Sequence, residues 1–324
     1  MTSLEALPEP PAPSSAKKPP LSRRILAGVV GAIYPILIVA DGSLLSESLY
    51  GVFIAGSLLL AYRLMDKPTT GRAVALGACI GAAALTREEA LLLVILLLVP
   101  LAGFPPRWFP QRVPPRLALI AALATVLVVA PWVIRNTLAF DRPTTISTGA
   151  GAVEAGANCD ATYHGKRVGF WEIACVPPRG SGNEAVYTAR WRKEGTDYIK
   201  DHLGRFAVVE GIRVLRTWGL YQPTNDPGEP NEPLAVAMYL VLLPLSIAGV
   251  VLMRVRREQL SILLAPPLLV TITTLTGYGT TRFRHAAEVS IIVLASTALV
   301  AAWENRDRAG AVGLRETAET GPPR

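Results

Sequence analysis

The chain has 324 residues, of which 51% are hydrophobic and only 18% charged, and its mean hydropathy is +0.36. That balance argues against a soluble fold built on a single core. The net charge of +7 does not point to nucleic acid, because many of the 32 Lys and Arg residues lie in short turns between apolar blocks, where they serve as topology signals.

Taken in chain order, residues 1–24 form a leader rich in proline (Pro8, Pro10, Pro11, Pro13, Pro19, Pro20) without the apolar stretch of a cleavable signal peptide. We expect it to be disordered and cytoplasmic. Apolar segments follow at about 25–40, 44–62, 72–85, 89–104, 117–134, 235–253, 260–277 and 286–303. They predict an all-α polytopic membrane protein of about eight transmembrane helices. The block 72–104 holds Thr86-Arg87-Glu88-Glu89 at its centre, too costly for bare lipid, and reads as a hairpin of two helices. The predicted organisation is a membrane module over 25–134, an external loop domain over 135–233, a second membrane module over 234–303 and a cytoplasmic tail over 304–324.

Basic residues set the orientation. Lys17, Lys18, Arg23 and Arg24 precede the first segment, Arg63, Lys67 and Arg72 fill one turn, Arg107, Arg112 and Arg116 another, and Arg254, Arg256 and Arg257 a third. Arg306, Arg308, Arg315 and Arg324 lie in the tail. All fall on one side of the predicted topology, so both termini are expected in the cytoplasm.

The long polar segment contains Cys159 and Cys175 and a helical stretch from about Glu184 to Trp218. Over His202 to Tyr221, Arg205, Arg213 and Arg216 alternate with Phe206, Val209, Ile212, Leu215 and Trp218. Two readings stand with equal weight: an amphipathic helix on the membrane surface, or a soluble helix packed on its own loop domain. A Cys159–Cys175 disulfide in an oxidising compartment would stabilise the loop by roughly 3 kcal/mol; the alternative is two free thiols. Cys79 reads as a small packing residue. The three histidines, His164, His202 and His285, are far apart in the chain and give no metal-ligand spacing.

The charged residues beside the apolar blocks carry the functional signal. Glu47, Arg87, Glu88, Glu89, Arg135, Asn136, Arg282, Arg284 and Glu288 all fall on the predicted external side. Ionisable groups at membrane depth face a polar cavity or a partner, and forked arginines suit a phosphate or diphosphate. Simpler readings stand beside this one. Arg284 and Glu288 can form an i, i+4 pair, Arg135 and Arg282 can snorkel, and Glu88 and Glu89 can cap a helix. Glu47 and Arg87 have no such neighbour in sequence.

The succession Ser46-Glu47-Ser48-Leu49, Leu85-Thr86-Arg87-Glu88-Glu89-Ala90, Pro131-Trp132-Val133-Ile134-Arg135-Asn136, Gly156-Ala157-Asn158-Cys159 and Tyr278-Gly279-Thr280-Thr281-Arg282-Phe283-Arg284 resembles bacterial integral-membrane glycosyltransferases of the GT-C class. The likeness is to the family 39, or dolichyl-phosphate-mannose mannosyltransferase-like, group, over about residues 25–303. The resemblance implies transfer of a sugar from a polyprenyl-phosphate donor to an acceptor at the external membrane face. Inversion at the anomeric carbon needs a carboxylate base and cations for the departing phosphate. Glu47 and the external Asp41 are the candidate catalytic carboxylates. Arg87, Glu88, Arg135, Asn136, Arg282 and Arg284 are the candidate substrate contacts, and no metal site is expected.

The chain departs from the family pattern in lacking an acidic motif in a first external loop, and no residue here corresponds to the usual catalytic aspartate. It therefore resembles the later part of such an enzyme, and a partner subunit supplying the missing module is one expectation. His285 stands where relatives often have proline. Beside the enzyme stand a non-catalytic membrane subunit that binds the same lipid carrier and a transporter. The transporter is disfavoured by uniformly apolar cytoplasmic halves and by the lack of an internal repeat. The enzyme reading predicts that Glu47, Arg87, Arg135, Arg282 and Arg284 line one outward cavity.

Overall fold

A computed structural model describes residues 21–42, 45–103, 113–221 and 233–319. The leader through residue 20 and residues 320–324 of the tail lie outside the described residues. Among the described residues the chain is all-helical, with no strand.

The helices, in order, are α1 (Leu21–Ile33), α2 (Pro35–Gly42), α3 (Ser46–Asp66), α4 (Thr70–Thr86), α5 (Leu92–Leu101) and α6 (Pro115–Ala139). A central polar stretch holds α7 (Ala150–Ala157), α8 (Asp160–Tyr163), α9 (Glu184–Asp201) and α10 (Leu203–Thr217). The chain then runs through α11 (Pro233–Val255), α12 (Ser261–Leu275) and α13 (His285–Glu319). Among the described residues four helical stretches are long and apolar enough to cross a membrane: Ser46–Asp66, Pro115–Ala139, Leu234–Val255 and Thr281–Asn305. Such helices are consistent with a membrane protein, since a helix satisfies every backbone group internally.

The apolar blocks coincide with helices, but their lengths differ from expectation. The first block is two helices, not one, because Pro35 has no N–H to continue the ladder of α1 and instead opens α2. The block at 89–104 begins as a 3-10 turn, Glu88–Leu91, and leaves only the 10 residues of α5, about 15 Å of helix. At α4, Thr69 caps the first turn by accepting from the Arg72 N–H at 3.4 Å.

One apolar core joins these helices, with Ile54, Leu76, Ile80, Leu93, Leu269 and Ile291 among its buried members. Close crossings hold it together. A Cβ on Gly77 of α4 would lie 2.0 Å from the Ala121 carbonyl oxygen of α6, and one on Gly249 of α11 would lie 2.1 Å from that of Leu294 in α13. Only glycine lets these backbones meet, as between helices in lipid. On the outer surfaces Val52, Leu127 and Val255 are largely exposed, an apolar exterior that water would penalise. The polar stretch has a small cluster of its own, Tyr163, Val168 and Val209, against Tyr198, Phe206 and Ile212.

Candidate functional site

Glu47 occupies the first turn of α3 and is 3% exposed. Its Oε1 accepts from Arg87 Nη1 at 3.0 Å and from Arg282 Nη2 at 2.7 Å, while Ser46 Oγ donates to Oε2 at 3.4 Å. The local backbone delivers both cations. Arg87 follows α4 in an extended conformation (φ −149°, ψ 119°), which ends the helix and turns the side chain across to α3. Arg282 sits in a 3-10 turn, Thr281–Arg284, whose start is capped by Thr280 Oγ1 accepting from the Arg282 N–H at 3.4 Å. Arg87 Nε also donates to Glu89, and the guanidinium lies 5.8 Å from the Tyr50 ring centroid and 5.3 Å from that of Phe283. A carboxylate held by two guanidiniums is a strong anchor and a weak base. Glu47 therefore acts on its surroundings by fixing Arg87 and Arg282.

Arg87 lines a cavity of about 890 Å³. Leu85, Leu92, Trp132, Ile272, Leu275 and Phe283 give it apolar lining, and Glu88, Glu89, Glu154, Arg192 and Arg213 give it charged lining. A side chamber of about 350 Å³ adjoins it, lined by Arg142, Thr145, Thr148 and Thr188, and shares Glu88, Ser147, Ala150 and Arg192 with the larger space.

The charged lining depends on the crossing of α7 and α9. A Cβ on Gly151 would lie 2.0 Å from the Thr188 carbonyl oxygen, and one on Gly195 would lie 2.4 Å from that of Glu154. This contact brings Glu154 beside Arg192. Asn158 Nδ2 donates to Glu154 Oε2 at 3.2 Å. Arg213, 2% exposed, pairs with Glu210 and donates through Nη2 to Ala157 O at 2.7 Å and to Asn158 Oδ1 at 2.9 Å. Tyr163 donates to the same oxygen at 3.0 Å, and burial pushes its phenol up to about 12, so it stays a donor.

Burial raises the Glu154 carboxyl above the ordinary value, while Arg192 and Arg213 oppose it. Burial, reinforced by the charge of Glu89, raises Glu88 as well. Among the described residues Glu88 has no ion-pair partner within 4.0 Å.

The structure brings Glu47, Arg87 and Arg282 together and places Glu88 on the cavity wall. Arg135, Asn136 and Arg284 lie elsewhere. Arg135 donates to Asn136 Oδ1 at 3.0 Å and stacks over Trp132 at 5.2 Å. Asn136 is buried and donates to Thr145 O at 2.9 Å, pinning the following loop to α6. Arg284 Nε donates to the buried Glu288 at 2.6 Å beneath the Tyr239 ring; this is an interior pair, not a helix-surface one. Asp41 lies in the last turn of α2, and its side chain lies outside those described. Cys159 and Cys175 form a disulfide with Cα atoms 6.2 Å apart. Cys79 donates to Phe53 O at 3.4 Å between α4 and α3. Among the described residues no cluster of His, Cys, Asp and Glu could hold a metal ion.

Glu154 and Arg192 are site residues that sequence reasoning missed. They stand in separate helices with no shared local pattern, and only the paired glycines at 151 and 195 hint at the crossing that joins them. No family model, curated protein or solved structure matches this chain.

Proposed function

We propose that the chain is a membrane glycosyltransferase that moves a sugar from a polyprenyl-phosphate donor to an acceptor at the external membrane face. One observation carries the reading: a single cavity lined both by apolar side chains and by arginines and carboxylates. A lipid phosphate is likewise of two kinds, an apolar tail joined to an anion. The resemblance of the five short motifs to GT-C enzymes, with about eight spans, an external loop domain and cytoplasmic termini, fits the same reading.

In this reading Arg87 and Arg192 receive the phosphate, with Glu47 holding Arg87 and Arg282 in place. The side chamber, lined by hydroxyls, receives the acceptor. Glu88 borders both spaces and, among the described residues, has no ion-pair partner within 4.0 Å, so it is the carboxylate suited to take the acceptor's proton. The acceptor oxygen then bonds to the anomeric carbon, and the bond from that carbon to the phosphate oxygen breaks with its electron pair on the phosphate. A second reading, a non-catalytic membrane subunit that binds the same carrier, draws on Glu47, whose Oε1 accepts from two arginines.

The test is transfer of labelled sugar from a synthetic polyprenyl-phosphate sugar to a membrane acceptor extract by the purified chain, beside Arg87→Ala and Glu88→Gln. Turnover by the wild type that disappears in Glu88→Gln, with carrier still bound, supports the enzyme. Carrier bound without turnover by the wild type selects the non-catalytic subunit, and no carrier binding removes both.

A further inference from the structure

Helix α10 is built inside out for a helix in water. Its exposed positions are Leu203, Gly204, Ala207, Val208, Gly211 and Leu215, spaced at three and four residues so that they form one stripe, and none is charged. Leu203 is 63% exposed, Val208 49% and Leu215 42%. Its charged residues all turn inward. Arg205 Nε donates to Tyr163 O at 3.0 Å, Glu210 pairs with Arg213, and Arg216 is buried over the Phe170 ring at 4.8 Å.

Helix α9 directly before it has the ordinary polarity. Arg190, Lys193, Glu194 and Lys200 are exposed, while Ala185, Thr188, Trp191 and Gly195 are buried. Two consecutive helices with opposite polarity face two different media: α9 meets water, and α10 meets something apolar.

We infer that the uncharged stripe of α10 lies in the boundary between headgroups and acyl chains of the bilayer. The occupant is lipid because the stripe continues the apolar exterior of the candidate membrane helices. Where α10 ends, Trp218 Nε1 donates to Thr271 Oγ1 of α12 at 3.3 Å, and Tyr239 of α11 donates to Trp218 O at 2.9 Å. Leu220 and Tyr221, just beyond, are exposed, as are Leu234, Val236 and Leu240 on the first turns of α11. An exposed Tyr at such a junction, here Tyr221, is a usual residue of a membrane interface. The stripe binds by apolar burial, and the arginines that an interfacial helix normally shows to water are used here to complete the charged lining of the cavity through Arg213. This inference is independent of sugar transfer.

The test places a polarity-sensitive fluorophore on single cysteines at Ala207, Val208 and, as the aqueous reference, Lys193. The background is Cys79→Ser, which removes the one thiol outside the Cys159–Cys175 disulfide. Full-length protein is reconstituted into phosphatidylcholine vesicles with and without brominated acyl chains. Quenching by brominated lipid at 207 and 208 several-fold stronger than at 193, with iodide quenching in the reverse order, is the expected result. Iodide quenching at 207 and 208 equal to that at 193 overturns it. So does a dry environment that brominated lipid fails to quench, since that outcome assigns the stripe to a protein partner. Both labelled side chains are exposed, so the label leaves the packing of α10 intact.

Discussion

The coupling of Glu47 to its two arginines can be ranked from the structure, and distance and burial predict opposite orders. Arg282 is closer, at 2.7 Å against 3.0 Å for Arg87, but its side chain is 42% exposed whereas that of Arg87 is 18% exposed. Screening decides the matter. Coulomb attraction at 3 Å is about 5 kcal/mol at an effective dielectric of about 20, whereas at the contact with Arg282 it is about 1.5 kcal/mol if water surrounds the pair. After desolvation, measured couplings of this kind are about 2 kcal/mol or more for buried pairs and about 0.2–1 kcal/mol for exposed ones. Double-mutant cycles with Glu47→Gln against Arg87→Ala and against Arg282→Ala, read by equilibrium unfolding in mixed micelles, should give the larger coupling to Arg87. An equal or larger coupling to Arg282 would show that contact distance, not burial, sets the strength of the cluster.

Other consequences can be measured separately. Gly195→Ala sets a Cβ 2.4 Å from the Glu154 carbonyl oxygen, so it should cost about 1–3 kcal/mol by overpacking and weaken polyprenyl-phosphate binding; an unchanged unfolding midpoint would show that α7 and α9 can part freely. Opening the disulfide by Cys159→Ser with Cys175→Ser, across a separation of 16 residues, should lower stability by about 3 kcal/mol, and identical midpoints for the double variant and the wild type would contradict this. Because burial raises Glu154, the folded chain holds that proton more tightly than the unfolded chain. Its contribution is greatest below the ordinary glutamate value of about 4.3 and is lost as pH rises through the elevated folded value. Glu154→Gln should therefore flatten the fall in stability above pH of about 4.3, and a slope identical to that of the wild type would assign the effect to another group.

What the sequence made legible follows from which forces act locally. Apolar blocks marked helices because lipid leaves the backbone few alternatives, and 117–134 fell inside α6 while 235–253 fell inside α11. Pro35 was a visible signal within the first block, yet hydropathy averaged over it, so the break at Tyr34 was not anticipated. The meeting of Glu47 with Arg87 was foreshadowed by two charges beside apolar runs, although Arg87 does find a neutralising neighbour in Glu89, against the expectation from sequence. Arg284 does pair with Glu288, as their i, i+4 spacing allows, but the pair is buried, because that spacing says that two side chains meet and not which way they face. The periodicity of 203–217 was equally readable, but which face turned inward was not. That depends on Tyr163, Asn158 and Phe170, which reach α10 only through the fold.

The Glu47 cluster also sets an order for assembly of the chain. Arg87 is 40 residues from Glu47 and Arg282 is 235 residues away, so during synthesis the first cation becomes available once α4 emerges and the second only when most of the chain exists. Glu47 can leave the aqueous phase with α4 as its escort. The last candidate membrane helix among the described residues then locks a cluster already half made, and a chain halted between these two points would hold Glu47 paired with Arg87 alone.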